Sequence, residues 1–506
     1  MQSRKLAQRA QTRAQAGNTQ LTLRSHFSPT QIEQMKRMKT RVTTAPQGRP
    51  FSLIARHHFA AELSELVRLA TTMVFTQLGQ IAMIVTDLAF IGRLGPEAVA
   101  AAGLASRVYI VGFMLGMGLM TAIALLAAEA FGADNLAIAR TSLRMGLWAA
   151  LLVSVPIMML PLRGEQILLA LGQAPVVAQQ AQEYLLGLGW GVGPALCFVA
   201  IRSFMGAFNR PEPILWITLA AIPVNAFLGY VLIFGTLGLP RLELLGAGVA
   251  TSLVNCATLL AALWFTTMCR PFRDYHLLSH LWRFNWPSMR QLFVTGVPIS
   301  ISILLDSVAF SAATILMGMI GTSALAAHHI AFQVYGTLMV IPIGVSMAAA
   351  VRVAQAVGRN DRSGTKRAGL IAMLVGIVAS IMLTVVVVKA RVEITMLFLE
   401  KSTTGAEAAD LVSVGASFFI SYAIYIIALG SLRGLRDTQM PLLFVAIGYW
   451  IIGLSLSYVL GLRMGFGAVG IWIGMSLGTA VCAALLVLRF HLLTRRLADH
   501  SRCGSE

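Results

Sequence analysis

LVRLATTMVFTQLGQIAMIVTDLAFIGRLG, residues 66–95, decides how the rest of the chain is read. Between Arg68 and Arg93 it holds one charged residue, Asp87. A helix of this length crosses a hydrocarbon core of about 30 Å, which takes roughly 20 residues. A carboxylate inside such a span costs about 2.5–3.5 kcal/mol to insert. Gln80 and Thr76 fall on the same helical stripe as Asp87. A polar stripe ending in an acid fits a wet cavity better than lipid, so the segment predicts a transport path.

The bulk composition agrees with a multi-span membrane protein. The 506 residues are 57% hydrophobic and 12% charged, with mean hydropathy +0.75, whereas soluble domains carry about a quarter charged residues. Apolar runs of spanning length recur near 67–92, 100–128, 145–162, 184–201, 213–240 and 244–269. A second set lies near 291–319, 323–351, 368–388, 411–432, 438–462 and 464–488. The predicted fold is an all-α polytopic membrane protein with twelve transmembrane helices in two pseudo-symmetric six-helix bundles. Asp87 and Asp306 are the charged residues expected deep inside a span, and Arg107 is expected to reach outward from a helix end.

The net charge of +18 invites a nucleic-acid reading. The positions of the charges argue for topology instead. With both termini cytoplasmic, 31 of the 39 Lys and Arg residues fall on the inner side, as the positive-inside rule requires. Residues 1–61 read as a basic, disordered cytoplasmic tail without the apolar core of a signal peptide. An organelle leader or a later start at Met35 or Met38 is the other reading of that tail. The remaining divisions are a first lobe at 62–269, a cytoplasmic loop at 270–290, a second lobe at 291–488 and a cytoplasmic tail at 489–506. Five cysteines, at 197, 256, 269, 482 and 503, have no CxxC or metal-ligand spacing. No metal site is expected, and His328-His329 read as structural.

The two halves repeat. Leu94-Gly95 and Gly132 recur 226 residues later as Ile320-Gly321 and Gly358. Ser203, Gly206, Pro213 and Tyr230-Val231 recur 228 residues later. An even number of spans per half makes these parallel repeats, with the substrate path between the bundles.

Several stretches carry a family resemblance. VTDLAFIGRLG (85–95), LALGQAPVVAQQAQEYL (169–185), GVPISISILLD (296–306), LAAHHIAFQVYG (325–336), VRVAQAVGRND (351–361) and GSLRGLRDT (430–438) resemble the multidrug and toxic compound extrusion (MATE) family, nearest its NorM-like branch. The resemblance covers about residues 62–490. It implies an antiporter in which inward H⁺ or Na⁺ drives export of cationic, often aromatic compounds from a bacterial inner membrane. It implies that Asp87 is the first-helix acid of the amino-terminal lobe, with Asn225 of the fifth helix beside it. Asp306 takes the place of the branch's seventh-helix acid. Two positions depart from the pattern: Tyr422 stands where the tenth-helix acid would be, and Gly229 where some members carry an acid. No proline lies between Pro50 and Pro96, so a proline-kinked first helix is not expected.

Each aspartate is expected to take and release a proton as the molecule alternates between its two faces. A neutral, hydrogen-bonded Asp that holds helices together is the plainer alternative. Gln80 and Asn225 are assigned with Asp87 and Asp306 to cation coupling, and Asn255, Ser302 and Tyr422 to the cavity. Sparse oxygen ligands favour H⁺ over Na⁺. No P-loop is present and no cofactor is called for. The expected partners are small cationic or aromatic molecules and the bilayer, with no nucleic acid, and the chain is expected to act as a monomer. Flipping of lipid-linked oligosaccharides is the alternative transport function; it would need a basic cavity. An enzyme would need clustered catalytic side chains within the spans, which the sequence lacks.

Overall fold

The computed structural model describes residues 51–499, apart from 160, 171, 237, 239, 271, 276–281 and 397–402. The first fifty residues of the basic tail, the middle of the loop at 270–290 and the last seven residues therefore lie outside the described residues. The chain divides into two units, Met1–Ala60 and Ala61–Glu506. Of the first, residues 51–60 are helical, and the second carries the apolar bundles.

The protein is a multi-pass helical membrane protein. Its first six spans are α1 (Phe51–Gly92), α2 (Pro96–Gly132), α3 (Leu136–Met159), the broken α4, α5 (Glu212–Phe234) and α6 (Glu243–Met268). The second six are α7 (Trp286–Ile320), α8 (Thr322–Gly358), α9 (Arg362–Lys389), α10 (Gly405–Gly434), α11 (Gln439–Arg463) and α12 (Gly467–Arg496). Eleven of these are single helices long and apolar enough to span. The twelfth, α4, consists of Pro175–Gly189 and Val192–Ala207, bent by 48° at Trp190-Gly191. The sequence places one span at 184–201; the structure instead breaks it where Gly191 rests on α6. A Cβ on Gly191 would meet Ser252 Cα at 2.8 Å, so this close approach needs a residue without a side chain.

The repeat is visible down to single backbone angles. Gly95 and Gly321, which open α2 and α8, have φ of 120° and 155°, a region that glycine enters at little cost. At the far ends of the same helices, Asp134 and Asn360 both have φ 56°. Their C-terminal turns are closed by matching bonds, Asn135 N–H to the Ala130 carbonyl and Asp361 N–H to the Ala356 carbonyl, at 2.8 and 3.0 Å.

α2 and α8 form the centre. Their buried faces are dominated by alanine and glycine, which lets backbones approach closely where lipid supplies no hydrophobic drive between helices. Gly118 packs on Ser300 of α7, and the Ser300 hydroxyl donates to the Leu115 carbonyl at 2.6 Å. Gly132 packs on Gln355, and Gly358 on Glu129. The least buried spans are α1 and α7, with 17% of each apolar window buried. They carry the two aspartates.

Candidate functional site

Asp87 lies five residues before the Gly92 end of α1, half-buried inside the first bundle. Asn225 of α5 donates its amide to Asp87 Oδ1 at 2.6 Å. Thr251 of α6 donates its hydroxyl to Oδ2 at 3.1 Å, sharing that proton with the Ala247 carbonyl. Asn225 is buried, so its amide has few partners besides this carboxylate. Three helices thus converge on one acid.

Asp306 lies near the middle of α7 in the second bundle. Tyr425 of α10, fully buried, donates its hydroxyl to Asp306 Oδ2 at 2.6 Å. The other oxygen, Oδ1, is buried without a hydrogen bond. Arg433, near one end of α10, is buried and close enough for its charge to act on Asp306, Tyr422 and Tyr425. Tyr422, Tyr425 and Tyr449 lie within the field of Asp306, and their rings join those of Phe310 and Phe418 in one cluster with centroids 5.6–6.5 Å apart.

The structure regroups the other predicted residues. Gln80 does not reach Asp87: Gln80 and Gln77 both accept hydrogen bonds from Arg202 at 3.0 Å. Seven positions along α1, about 10 Å of helix, separate Gln80 from the acid, and its amide turns to Arg202 of α4. Asn255 faces Gly191 at the break in α4 rather than Asp87, and Thr251, one turn earlier on α6, takes its place. Ser302 is buried with its hydroxyl unbonded. Tyr422 packs beside Asp306 without a hydrogen bond to it, and Tyr425, one turn later, makes that bond. Arg107 is exposed but lies eleven residues inside α2, not at its end. His328 is buried, with Nε2 3.2 Å from the Thr314 hydroxyl.

The two aspartates are not the sole charges within the spans. Arg202, Arg352, Arg433 and Glu129 also lie within spanning helices. Arg352 of α8 bonds Glu62 of α1 through Nε and Nη2 at 2.8 and 2.6 Å, and Glu65 through Nη1 at 2.5 Å. Glu129 of α2 pairs with Arg436 beyond α10. Gln355 donates to the Ala207 carbonyl at 2.8 Å and accepts from Asn209 at 3.2 Å. These bonds join the first bundle to the second at the Glu62 end, opposite the Asp87 end of α1. The cross-links alternate: α8 reaches into the first bundle, and α2 into the second.

Among the described residues no group of three His, Cys, Asp or Glu side chains converges on a metal site. The arrangement is two separated carboxylates with neutral donors, in two bundles latched at one end. Proton exchange at such acids can be tied to a rocking of the bundles, since a neutral acid costs less to move through apolar surroundings than a carboxylate.

The MatE family model matches residues 72–231 and 298–459, one copy in each bundle. The chain belongs to the MatE family. A probable multidrug resistance protein NorM of Bradyrhizobium diazoefficiens is 53% identical over 459 residues, covering 90% of this chain and 98% of the relative. A probable multidrug resistance protein NorM of Rhodopseudomonas palustris is 50% identical over 438 residues, covering 86% and 92%. A solved eukaryotic MATE transporter superposes with a TM-score of 0.78 at 21% identity, covering 87% of this chain and 99% of the other. A MATE structure in the straight conformation gives 0.80 at 19% identity, covering 87% and 97%. At those identities the MatE likeness is one of fold, and it extends over both bundles.

Proposed function

We propose that the chain is a secondary multidrug antiporter of a bacterial inner membrane, exporting cationic or aromatic compounds in exchange for inward protons. The observation that carries this reading is Asp87, held by Asn225 and Thr251 between three helices of one bundle. The MatE membership and the names of the two relatives, as probable multidrug resistance proteins, support drugs as its substrates.

Protons fit the site better than sodium. A hard monovalent cation wants several oxygen ligands. Asp87 has one amide and one hydroxyl beside it, both placed as donors. Asp306 has one phenol and lies within the field of Arg433, whose positive charge opposes a second cation.

The charge bias of the loops makes the Glu62 end cytoplasmic, with both termini inside. The latch at Arg352, Glu129 and Gln355 then closes the cytoplasmic side, and the conformer is the one that exchanges protons with the exterior. Opening the latch while Asp87 is protonated completes alternating access between two six-helix lobes.

Purified protein in sodium-free liposomes tests the reading. A pH gradient should drive ethidium against its own gradient, and a protonophore should stop it. Transport that requires Na⁺ and ignores the pH gradient overturns the coupling, and no transport of any cationic dye overturns the function.

A further inference from the structure

Arg202 of α4 faces a cavity of about 60 Å³ that lies between the two bundles. Met73 and Leu125 line it from the first bundle, and Met347 and Val351 from the second. Arg202 is its one charged lining residue among those described. Its Nη1 donates to the side-chain oxygens of Gln77 and Gln80 at 3.0 Å each. Its Nε is buried and makes no hydrogen bond. The second bundle differs in charge: its buried Arg433 has the Asp306 carboxylate within its field. Among the described residues, no carboxylate lies within ion-pair distance of Arg202.

A guanidinium stays protonated in proteins, and a buried cation is costly unless an anion faces it. Two neutral amide oxygens orient the group without neutralising it. The size of the cavity limits what can supply the opposite charge. A water molecule needs about 10–15 Å³ of such space, so a monatomic anion fits and an organic one does not. The walls of methionine, leucine and valine offer nothing to a divalent oxyanion, which holds its hydration shell tightly. A weakly hydrated anion suits them, and it suits the weakly hydrated guanidinium. Ser203 and Gln77 also line the cavity. With the Gln77 oxygen turned to Arg202, its amide nitrogen is left as a donor beside the Arg202 Nε.

We infer that Arg202 holds one small monovalent anion, chloride by its size and weak hydration, as a resident counter-ion between the bundles. The anion is not cargo. It gives the first bundle's buried arginine the negative charge that Asp306 gives Arg433 in the second. Asp87 takes no part in the site, so the inference stands or falls apart from the antiport reading.

Equilibrium dialysis of the purified full chain against radiolabelled chloride, with gluconate holding the ionic strength constant, tests it. The wild type should bind one chloride per chain saturably, and bromide should displace it where sulfate does not. Arg202→Gln should lose about tenfold or more in affinity, the scale of a lost charge-assisted hydrogen bond. Arg202→Lys, which keeps the charge without the planar fork, should fall between the two. Thermal melting gives a second readout. Chloride in place of gluconate should raise the Tm of the wild type over the concentration range of binding, and should leave that of Arg202→Gln unmoved. Absence of saturable chloride binding by the wild type overturns the inference, whatever the variants do. Binding that Arg202→Gln retains at full affinity overturns the assignment to Arg202. Displacement by sulfate as readily as by bromide overturns the monatomic anion. None of these measurements needs transport, so a failure of drug efflux leaves their outcome unchanged.

Discussion

Arg352 meets Glu62 through two parallel hydrogen bonds of 2.8 and 2.6 Å, tying the second bundle's central helix to the first bundle's outermost one. Arg352 is 5% exposed and lies two turns before Gly358, which rests on Glu129. The pair therefore sits at the closed end of the molecule, where α1 must part from α8 if the bundles rock.

Removing one partner of a buried, hydrogen-bonded pair costs about 3–5 kcal/mol when the other charge is left alone; here Glu65 still faces Arg352, so the loss falls below that range. Glu62→Gln should therefore shift the protein towards the conformer open at that end. A cysteine at Ala350, buried in the seam, should be alkylated faster from the cytoplasmic side in the Glu62→Gln background. An unchanged rate means the latch does not hold the closed state.

Asp87→Asn keeps the shape and removes the proton site. Proton-driven efflux should cease, while dye binding to the purified protein stays within a few-fold. Thr251→Val, which removes one neutral donor, should weaken coupling without abolishing it, the loss of a bond worth about 1.5–3 kcal/mol to a charged acceptor. Wild-type pumping by Asp87→Asn would remove Asp87 from the mechanism.

Asp306 and Arg433 predict a coupled pair. Asp306→Asn should destabilise the protein, because Arg433 then lacks an opposing charge within reach of its field. Adding Arg433→Gln should restore part of the loss, with a coupling energy of about 1–3 kcal/mol in a double-mutant cycle on thermal melting. Additive losses would show that the two side chains act separately. Cation binding by the Asp306→Asn variant, compared with neutral substrates, then tells whether the acid also balances a substrate's charge.

Asp361 caps α9 outside the membrane, its Oδ1 accepting the Gly364 N–H at 2.8 Å and the Ser363 hydroxyl at 2.9 Å. Partial burial works against its ionised form. The Gly364 and Ser363 bonds, with Arg367 and Arg359 nearby, outweigh it and hold the carboxyl below its usual range. A depressed acid stabilises the fold above its unfolded pKa, and that stability is lost as pH falls through the folded value. Asp361→Ala should cost about 1 kcal/mol at pH 7, and the gap to wild type should close in acid below about pH 4. A gap independent of pH would mean the cap's charge contributes nothing.

The spans, the repeat and Asp87 with Asn225 are legible in the sequence because each leaves a local mark. Apolar runs have a fixed length, and an acid inside one stands out. The glycines at 95, 321, 132 and 358 recur because two equivalent turns need positive φ and two equivalent crossings need no side chain. Thr251 and Tyr425 are not legible. Their partners lie 164 and 119 residues away, and a hydroxyl within an apolar run looks the same whether it bonds an acid or its own helix. Arg202 and Arg433 escape for another reason. Each directly follows an apolar run at 184–201 or 411–432, so it reads as the first loop residue when helices extend past it. Gln80 illustrates the reverse: sharing a stripe with Asp87 does not place two side chains on one partner.

Gly132 and Gly358 bring the closed seam together backbone on backbone, with Gln355 and Glu129 pressed against hydrogen atoms alone. A seam of that kind leaves no file of water, and without water a proton has no wire to hop along. Under the proposed antiport, the two glycines guard against leakage of the gradient as much as they permit packing, and a single methyl wedged at either position would turn a coupled exchanger into a slow short circuit.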